Sequence, residues 1–342
     1  MHRSELTIDL GALRRNVRTL VRALDGAELW AVVKTDAYGH GMVDIAAAAL
    51  GSGASALCVA TVPEGLALAR EFRDARILVM GPTSSSREIA HARDAGLELA
   101  IADNEIPESV RVHLKLDTGM GRYGSAAARL PELPGNVVGL MTHLATAETD
   151  ETFARDQLER FLAATAEHAS LTRHAANSAA ALRIPEARLD AARCGIAIYG
   201  LSPFGTDPVD DGLEPVLSWH SYLAQTKELQ AGESTGYGRR FVADEPTWIG
   251  LVPVGYGDGF RRDLTGTQVR VAGELRPVVG TVSMDSFAVA LDRELPVGTP
   301  VVIIGQGVLA ETHAQVAGTI NYELVCGINS DPARARRTIL DG

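Results

Sequence analysis

Eight short apolar runs recur through the first two-thirds of the chain, with amphipathic segments between several of them. The runs are LWAVVK (29–34), ALCVA (56–60), ILVM (77–80), LELAIA (97–102), VRVHLKL (110–116) and VVGLMTHL (137–144), then weaker ones near 171–176 and 189–194. Between them lie MVDIAAAAL, PEGLALAREF, SSREIAHARDAG and ETFARDQLERFLAATAEHA. The last of these sets Phe153, Leu158, Phe161 and Leu162 at helical spacing. Strands alternating with helices give βαβ units and a parallel sheet. Eight of them over roughly 200 residues predict a (β/α)8 barrel rather than an open sheet.

One interval breaks the pattern. Only DNEIPES (103–109) separates two good strands, whereas a parallel crossover takes about a dozen residues or more. The reading is a barrel that lacks one helix there. After residue 212 the texture changes. VLSWHSYLAQTKEL, TWIGLVPVG, TQVRVAG, RPVVGTVSMDSFAVAL and TPVVIIG are β-rich, with Gly and Pro at the breaks and no long helical pattern until about 311–325. The division expected is a barrel over 1–212 and a mostly antiparallel β domain over 213–342. About the first eight residues are open to packing with the β domain. The junction falls in FGTDPVDDGLEP, rich in Asp, Gly and Pro.

Composition narrows the function classes. The 342 residues hold 43 Asp and Glu against 32 Lys and Arg, a formal charge of -11, which disfavours nucleic acid and anionic membranes as partners. Cys58, Cys194 and Cys326 are widely spaced, so neither a disulfide framework nor a metal site is expected. The N-terminal MHRSELTIDL has no apolar run of signal-peptide length, and no 18-residue apolar stretch occurs. The expectation is a cytoplasmic protein.

The chemistry collects at strand ends. Lys34 closes LWAVVK and is followed at once by the Gly-rich TDAYGHG. A barrel strand delivers its last residues to the active-site mouth, and a lysine there with apolar neighbours on one side suits Schiff-base chemistry. Lysine more often merely closes a strand at the surface. Tyr38 and the glycines beside it tip the balance, by offering a hydroxyl and close backbone approach to an anion. VHLKLDTGMGRYG carries Lys115, Asp117, Thr118 and Arg122 within eight residues, and Lys115 and Asp117 share a strand face. Asn177 and Ser178 precede an Ala-rich helix. Ser178 reads equally as a plain helix cap or as a hydroxyl facing a phosphate. Arg193 and Gly195 fall near the end of the barrel, where barrel phosphate sites recur.

WAVVKTDAYGHG, HLKLDTGMGRYG, HAANSAAAL, RCGIAIYG, VPVGYGDG, GTVSMD and INYEL occur in this order. Together they resemble the alanine racemases, pyridoxal-phosphate enzymes built from a barrel and a β domain. The resemblance runs from about Leu6 to about Cys326 and spans both parts of the chain.

The resemblance implies roles for individual residues. Lys34 carries pyridoxal 5'-phosphate as a Schiff base and is one catalytic base. Tyr256 is the second base, on the opposite face of the cofactor and contributed by the partner subunit, so the active unit is a homodimer with composite sites. Arg193 faces the pyridine nitrogen. As a permanent cation it disfavours protonation there and weakens the ring as an electron sink. His143 hydrogen-bonds Arg193. Tyr38, Ser178, Gly195 and Ile196 form the phosphate-binding set, with Asn177 in support. Arg122 lies near the cofactor's phenolic oxygen and the substrate carboxylate. Met284 meets that carboxylate through its backbone amide, next to Asp285. Lys115 matches a lysine that is carbamylated in many members. The expected activity is interconversion of L- and D-alanine, supplying D-alanine for cell-wall peptidoglycan.

Two departures stand out. The short 103–109 segment replaces a helix with its loops. In the tail, ARARRT aligns with a family segment like RVPRRY and puts Thr338 where a tyrosine is usual, which predicts a wider pocket that also admits serine. Three rivals remain. A non-catalytic pyridoxal-phosphate-binding protein would lack VGYGDG and GTVSMD. A decarboxylase of the same architecture would carry a Cys-containing motif absent here. A racemase for bulkier amino acids is usually exported.

Overall fold

The computed structural model describes residues 2–102, 106–126, 130 and 132–342. The chain opens with β1 (Glu5–Asp9) and α1 (Leu10–Leu24). It continues through β2 (Glu28–Val32), α2 (Lys34–Tyr38), α3 (Met42–Leu50), β3 (Ala54–Val59), α4 (Val62–Glu71), β4 (Arg76–Val79) and α5 (Ser86–Asp94). Next come β5 (Glu98–Ile101), β6 (Arg111–Lys115), β7 (Val137–Met141), α6 (Glu151–Ala164), β8 (Thr172–His174), α7 (Ser178–Arg183) and β9 (Ala191–Cys194).

The eight strands from β2 to β9 form one parallel sheet, in the order β8-β7-β6-β5-β4-β3-β2-β9. The last strand, β9, returns beside β2, and two backbone bonds bring β8 and β9 together: Asp190 N to Arg173 O at 3.1 Å and Arg193 N to Ala176 O at 2.9 Å. The sheet is thus a nearly closed barrel, as the repeated runs predicted. Its strands are covered on both faces, so they read as continuous apolar runs; Ala56, Leu57, Cys58 and Val59 are all fully buried. The helices follow from local signals. Thr61 and Glu64 form a capping box at α4 with Pro63 in the first turn, and Asp150 caps α6 by accepting from Phe153 N. Leu13, Val17, Leu20 and Leu24 of α1 are buried at spacings of one face.

In the irregular interval, residues 103–105 lie outside the described residues, and 106–110 hold a turn and no helix. Strands β5 and β6 pair directly and in parallel across it.

The second part holds β10 (Leu217–Tyr222), β11 (Gln225–Leu229), β12 (Ser234–Thr235), β13 (Phe241–Val242), β14 (Thr247–Val252), β15 (Gln268–Val271) and β16 (Glu274–Val279). It ends with β17 (Phe287–Leu291), β18 (Pro300–Ile304), α8 (Ala310–Ala317), α9 (Asn321–Cys326) and β19 (Arg336–Leu340). Among the described residues, nine strands make a single sheet in the order β11-β14-β17-β16-β15-β18-β10-β1-β19. Pairing is antiparallel throughout except between β1 and β19. Residues 1–12, 205–210 and 215–342 form one compact unit, and residues 13–204 and 211–214 the other.

The N-terminal strand is internal to this sheet. Leu6 and Ile8 alternate inward and are essentially inaccessible. The Trp219 indole donates to the Ser4 hydroxyl at 2.8 Å, and Ser221 donates to Arg3 O at 2.6 Å. No helix of the described residues is long and apolar enough to cross a membrane. Leu6→Ala, which leaves a void beneath β1, is expected to destabilise the protein by about 2–5 kcal/mol, read as a lower thermal or denaturant midpoint.

Candidate active site

Lys34 follows β2 with only Val33 between them, half-buried, and the backbone after it does something unusual. Thr35, Asp36, Ala37 and Tyr38 all adopt left-handed conformation, with φ of 54°, 49°, 53° and 55°. Each non-glycine residue costs about 1–2 kcal/mol in that region, so the turn must be held from outside. Glu64 supplies part of the hold. One carboxylate oxygen accepts from Thr35 N at 2.7 Å, and the other accepts from Ala60 N and Thr61 N at 2.8 and 3.0 Å. Within the turn, Ala37 N donates to Val33 O, Gly39 N to Thr35 O and Gly41 N to Asp36 O. The buried His40 lies with Nδ1 at 3.0 Å from Ala37 O and 2.9 Å from Tyr38 O, so that nitrogen carries the proton. Tyr199 packs against the rings of Tyr38 and His40 and donates to Val32 O, at the end of β2.

The turn brings Tyr38 to Gly195. A Cβ on Gly195 would lie 2.4 Å from the Tyr38 hydroxyl, so only glycine fits. The Ser178 hydroxyl accepts from Gly195 N at 3.0 Å and Ala197 N at 3.4 Å, across the backbone of Ile196. Asn177 is the residue that caps α7, through Ala180 N. The helix-cap reading of Ser178 is thereby set aside: its hydroxyl is directed at the 195–197 backbone and not at its own helix. The result is a cluster of hydroxyls and amides at one point, groups of the kind suited to a phosphate.

Arg193 is 3% exposed. Its terminal nitrogens donate to His174 O, Thr142 O and Ala175 O at 2.8, 2.7 and 3.2 Å, and to His174 Nδ1 at 2.7 Å. His143 Nδ1 stands 3.4 Å from Nη2. Among the described residues only the Nε–H is left without an acceptor. Burial lowers the Arg193 pKa to about 10, which leaves it cationic at neutral pH. Burial, then Arg193, Arg122, Lys115 and Lys34, pull His143 down to about 3, so it is a neutral acceptor. Burial, then Arg122, Arg193 and Lys34, lower Lys115 to about 8 against a pull upward from Asp117. Asp117 is itself occupied: it accepts from the amides of Gly119, Met120, Gly121 and Arg122, which fold the loop and hold its carboxyl below the usual range against burial. Lys34, Lys115, Arg122 and Arg193 therefore act on one another, and Asp117, the carboxylate that acts on Lys115, is already engaged, an arrangement that suits an anionic ligand. The thiols of Cys58 and Cys194 are pushed up to about 12 by burial and are no nucleophiles. The amines of Lys34 and Lys115 remain.

The remaining sequence-derived residues sit together in the β unit. Tyr256 N donates to Ser283 O at 3.0 Å and Gly257 N to Met284 O at 2.8 Å, so the Tyr256 loop and the Met284 loop are laced through their backbones. Both side chains are exposed, at 45% and 54%. Beneath them Asp258, 1% exposed, receives both terminal nitrogens of Arg3 and the Nε of Arg334, and Arg334 also reaches Asp285 at 2.7 Å. Thr338 lies in the edge strand β19 opposite Thr7, with its side chain exposed.

Sequence reasoning passed over Glu98, His113 and His174, which form a buried chain ending at Arg193. His113 and His174 begin two of the singled-out motifs, HLKLDTG and HAANS, but they stand inside strands, where polar residues read as core. The arginines at Asp258 were missed because nothing local links residues 3, 258 and 334.

The comparisons with known proteins agree across both units. The family model for the alanine racemase N-terminal domain matches residues 8–203, and that for the alanine racemase C-terminal domain matches residues 216–336. Alanine racemase of Symbiobacterium thermophilum is 41% identical, over 94% of each chain. Alanine racemase 1 of Bacillus subtilis is 38% identical, over 94% of this chain and 90% of its own. The crystal structure of alanine racemase from Streptomyces lavendulae superposes with a TM-score of 0.92 at 33% identity, covering 100% of this chain and 98% of that one.

A methyl at position 195 pushes directly on the Tyr38 hydroxyl. Gly195→Ala is expected to weaken the binding of a phosphate-bearing ligand about tenfold or more, the equivalent of one lost hydrogen bond to a charged group, measured by titration.

Proposed function

The chain belongs to the alanine racemase family and is an isomerase, and on that premise we propose that it interconverts L- and D-alanine with pyridoxal phosphate held by Lys34. The observation that carries this reading is the cation-rich mouth beside the Tyr38–Ser178–Gly195 pocket. One end suits a phosphate, and the excess positive charge suits a phenolate and a substrate carboxylate. Lys34 supplies the amine for an aldehyde, and Arg193 offers the Nε–H to a ring nitrogen. Each functional group of pyridoxal phosphate thus has a counterpart in the barrel.

When bound, pyridoxal phosphate supplies the electron-withdrawing ring that lets the Cα proton leave. The chain does the rest. Racemisation needs one base to remove the α-proton from one face and another to return it from the opposite face. Lys34 Nζ and the phenolic oxygen of Tyr256 fill these roles, with Tyr256 coming from the partner subunit of a homodimer. Its exposure, beside Met284 on a loop braced by Asp258, supports its use outside its own unit. Arg193 stays protonated and serves as a donor rather than an acid, and neutral His143 steadies it. Arg122 and the Met284 amide receive the substrate carboxylate, and Asp285, tied by Arg334, fixes the Met284 loop. Ile196 and Asn177 shape the phosphate pocket. The setting proposed is the cytoplasm, and the product serves cell-wall peptidoglycan.

Lys115 fits carbamylation on physical grounds. With a pKa of about 8, about a tenth of its amine is neutral at pH 7. The lone pair can add to carbon dioxide, releasing one proton and replacing a cation beside Arg122 with an anion. Protein equilibrated with 13C-bicarbonate is expected to give a carbamate carbon resonance that grows as pH rises towards 8 and is missing from Lys115→Met.

The activity is tested by incubating the loaded protein with L-alanine and following D-alanine. Lys34→Ala should lose visible cofactor absorption and turnover together. Tyr256→Phe should keep the absorption and lose about 10²–10⁴-fold in kcat/KM, the range for one general base. Wild-type protein that binds the cofactor and leaves alanine unchanged would refute the assignment of substrate.

A further inference from the structure

Behind Arg193 a chain of hydrogen bonds crosses the barrel interior from β9 to β5. Arg193 Nη1 lies 2.7 Å from His174 Nδ1, His174 Nε2 lies 2.8 Å from His113 Nδ1, and His113 Nε2 lies 2.8 Å from Glu98 Oε2. All four residues are at most 3% exposed. Two features show that the chain is built in. His113 stands on β6 and His174 on β8, so the His113 ring must pass over β7. There the residue is Gly139, where a Cβ would lie 2.2 Å from His113 Nδ1. Trp30, fully buried, covers both imidazoles, with ring centroids 4.5 Å from His174 and 5.6 Å from His113.

The proton positions follow from the ends. A guanidinium only donates, so His174 Nδ1 must accept from Arg193. A neutral His174 then carries its proton on Nε2 and donates to His113 Nδ1. A neutral His113 in turn carries its proton on Nε2 and donates to Glu98, which as a carboxylate only accepts. Burial lowers the pKa of each imidazole, in keeping with neutral rings. Burial works to raise the Glu98 pKa, yet the bonds and charges of His113 and Arg76 hold it at about 2.

We propose that Glu98 is a positioning residue for Arg193: through His113 and His174 it fixes which imidazole nitrogens carry protons, so that the guanidinium meets only acceptors on that side. The carboxylate is needed because a competing donor is present. Arg76 Nη2 lies 3.3 Å from His113 Nε2, and its Nε is engaged with Glu98 at 2.8 Å. Arg111 holds the other Glu98 oxygen at 2.9 Å. Without the carboxylate, Arg76 becomes the donor to His113 Nε2, both rings switch to Nδ1–H, and Arg193 faces a donor. Any effect on turnover rests on the reading that Arg193 faces the cofactor's ring nitrogen. The tautomers do not depend on it.

The test is nitrogen-15 NMR of ring-labelled histidines in the cofactor-loaded protein, with His113 and His174 assigned by substitution. Wild type is expected to show both rings protonated on Nε2 and bare at Nδ1. Glu98→Leu should move both protons to Nδ1 and lower kcat about tenfold, a little over one kcal/mol of barrier, with KM little changed. Glu98→Gln, which keeps an acceptor oxygen, should keep the wild-type tautomers. The proposal is overturned by a wild-type spectrum with either ring protonated on Nδ1 or doubly protonated. It is equally overturned by a folded Glu98→Leu protein with unchanged tautomers. Should Glu98→Leu not fold, the wild-type and Glu98→Gln spectra still decide. Expected tautomers in a protein that does not racemise alanine would sink the assigned activity and leave the chain standing.

Discussion

Positive charge gathered in a place with little to neutralise it is the constraint to which the rest of the barrel answers. Lys34, Lys115, Arg122 and Arg193 act on one another, and Lys115 and Arg193 are nearly inaccessible. Burying a cation away from a partner is costly, and among the described residues no carboxylate bonds to Arg193. Its charge is met by three carbonyl dipoles at the ends of β7 and β8, those of Thr142, His174 and Ala175, and by neutral imidazoles. Such a site binds an anion with little reorganisation, since its donors are already aimed. Stability is conceded to binding.

Strain follows the same logic. Four successive left-handed residues after Lys34 run against the local preference of Thr, Ala and Tyr, and only Asp among them tolerates that region readily. They persist because Glu64 serves two turns at once, capping α4 while holding Thr35. Reversing the chain so sharply leaves Lys34 at the mouth and folds Tyr38 back onto Gly195 within four residues. A right-handed turn would send Tyr38 elsewhere. Local rules commonly fail where function demands geometry they do not favour.

The β unit solves a simpler problem with the same means. Its strands tie the N-terminal strand into the sheet between β10 and the edge strand β19, and that places Arg3 beside Arg334 on Asp258. One buried carboxylate thereby secures the loop that presents Tyr256, and the exposed ring needs no support of its own.

The sequence alone was enough for the eight barrel strands, for α3 to α7 and for the β-rich texture of the second part, whereas β1, α1 and β19 came only with the structure. Periodicity, capping boxes and glycine-rich turns are written over a few neighbouring positions, so LWAVVK and TVPEGLALAREF announce β2 and α4 without their surroundings. The direction of the Ser178 hydroxyl, the left-handed turn at Thr35–Tyr38 and the Glu98–His113–His174 chain were decided only by tertiary structure. Each depends on groups brought together from distant parts of the chain: Gly195 for Ser178, Glu64 for Thr35, Gly139 and Trp30 for the two histidines. Such contacts have no period and no local composition. They exist once the barrel has closed and each strand's side chains share one interior.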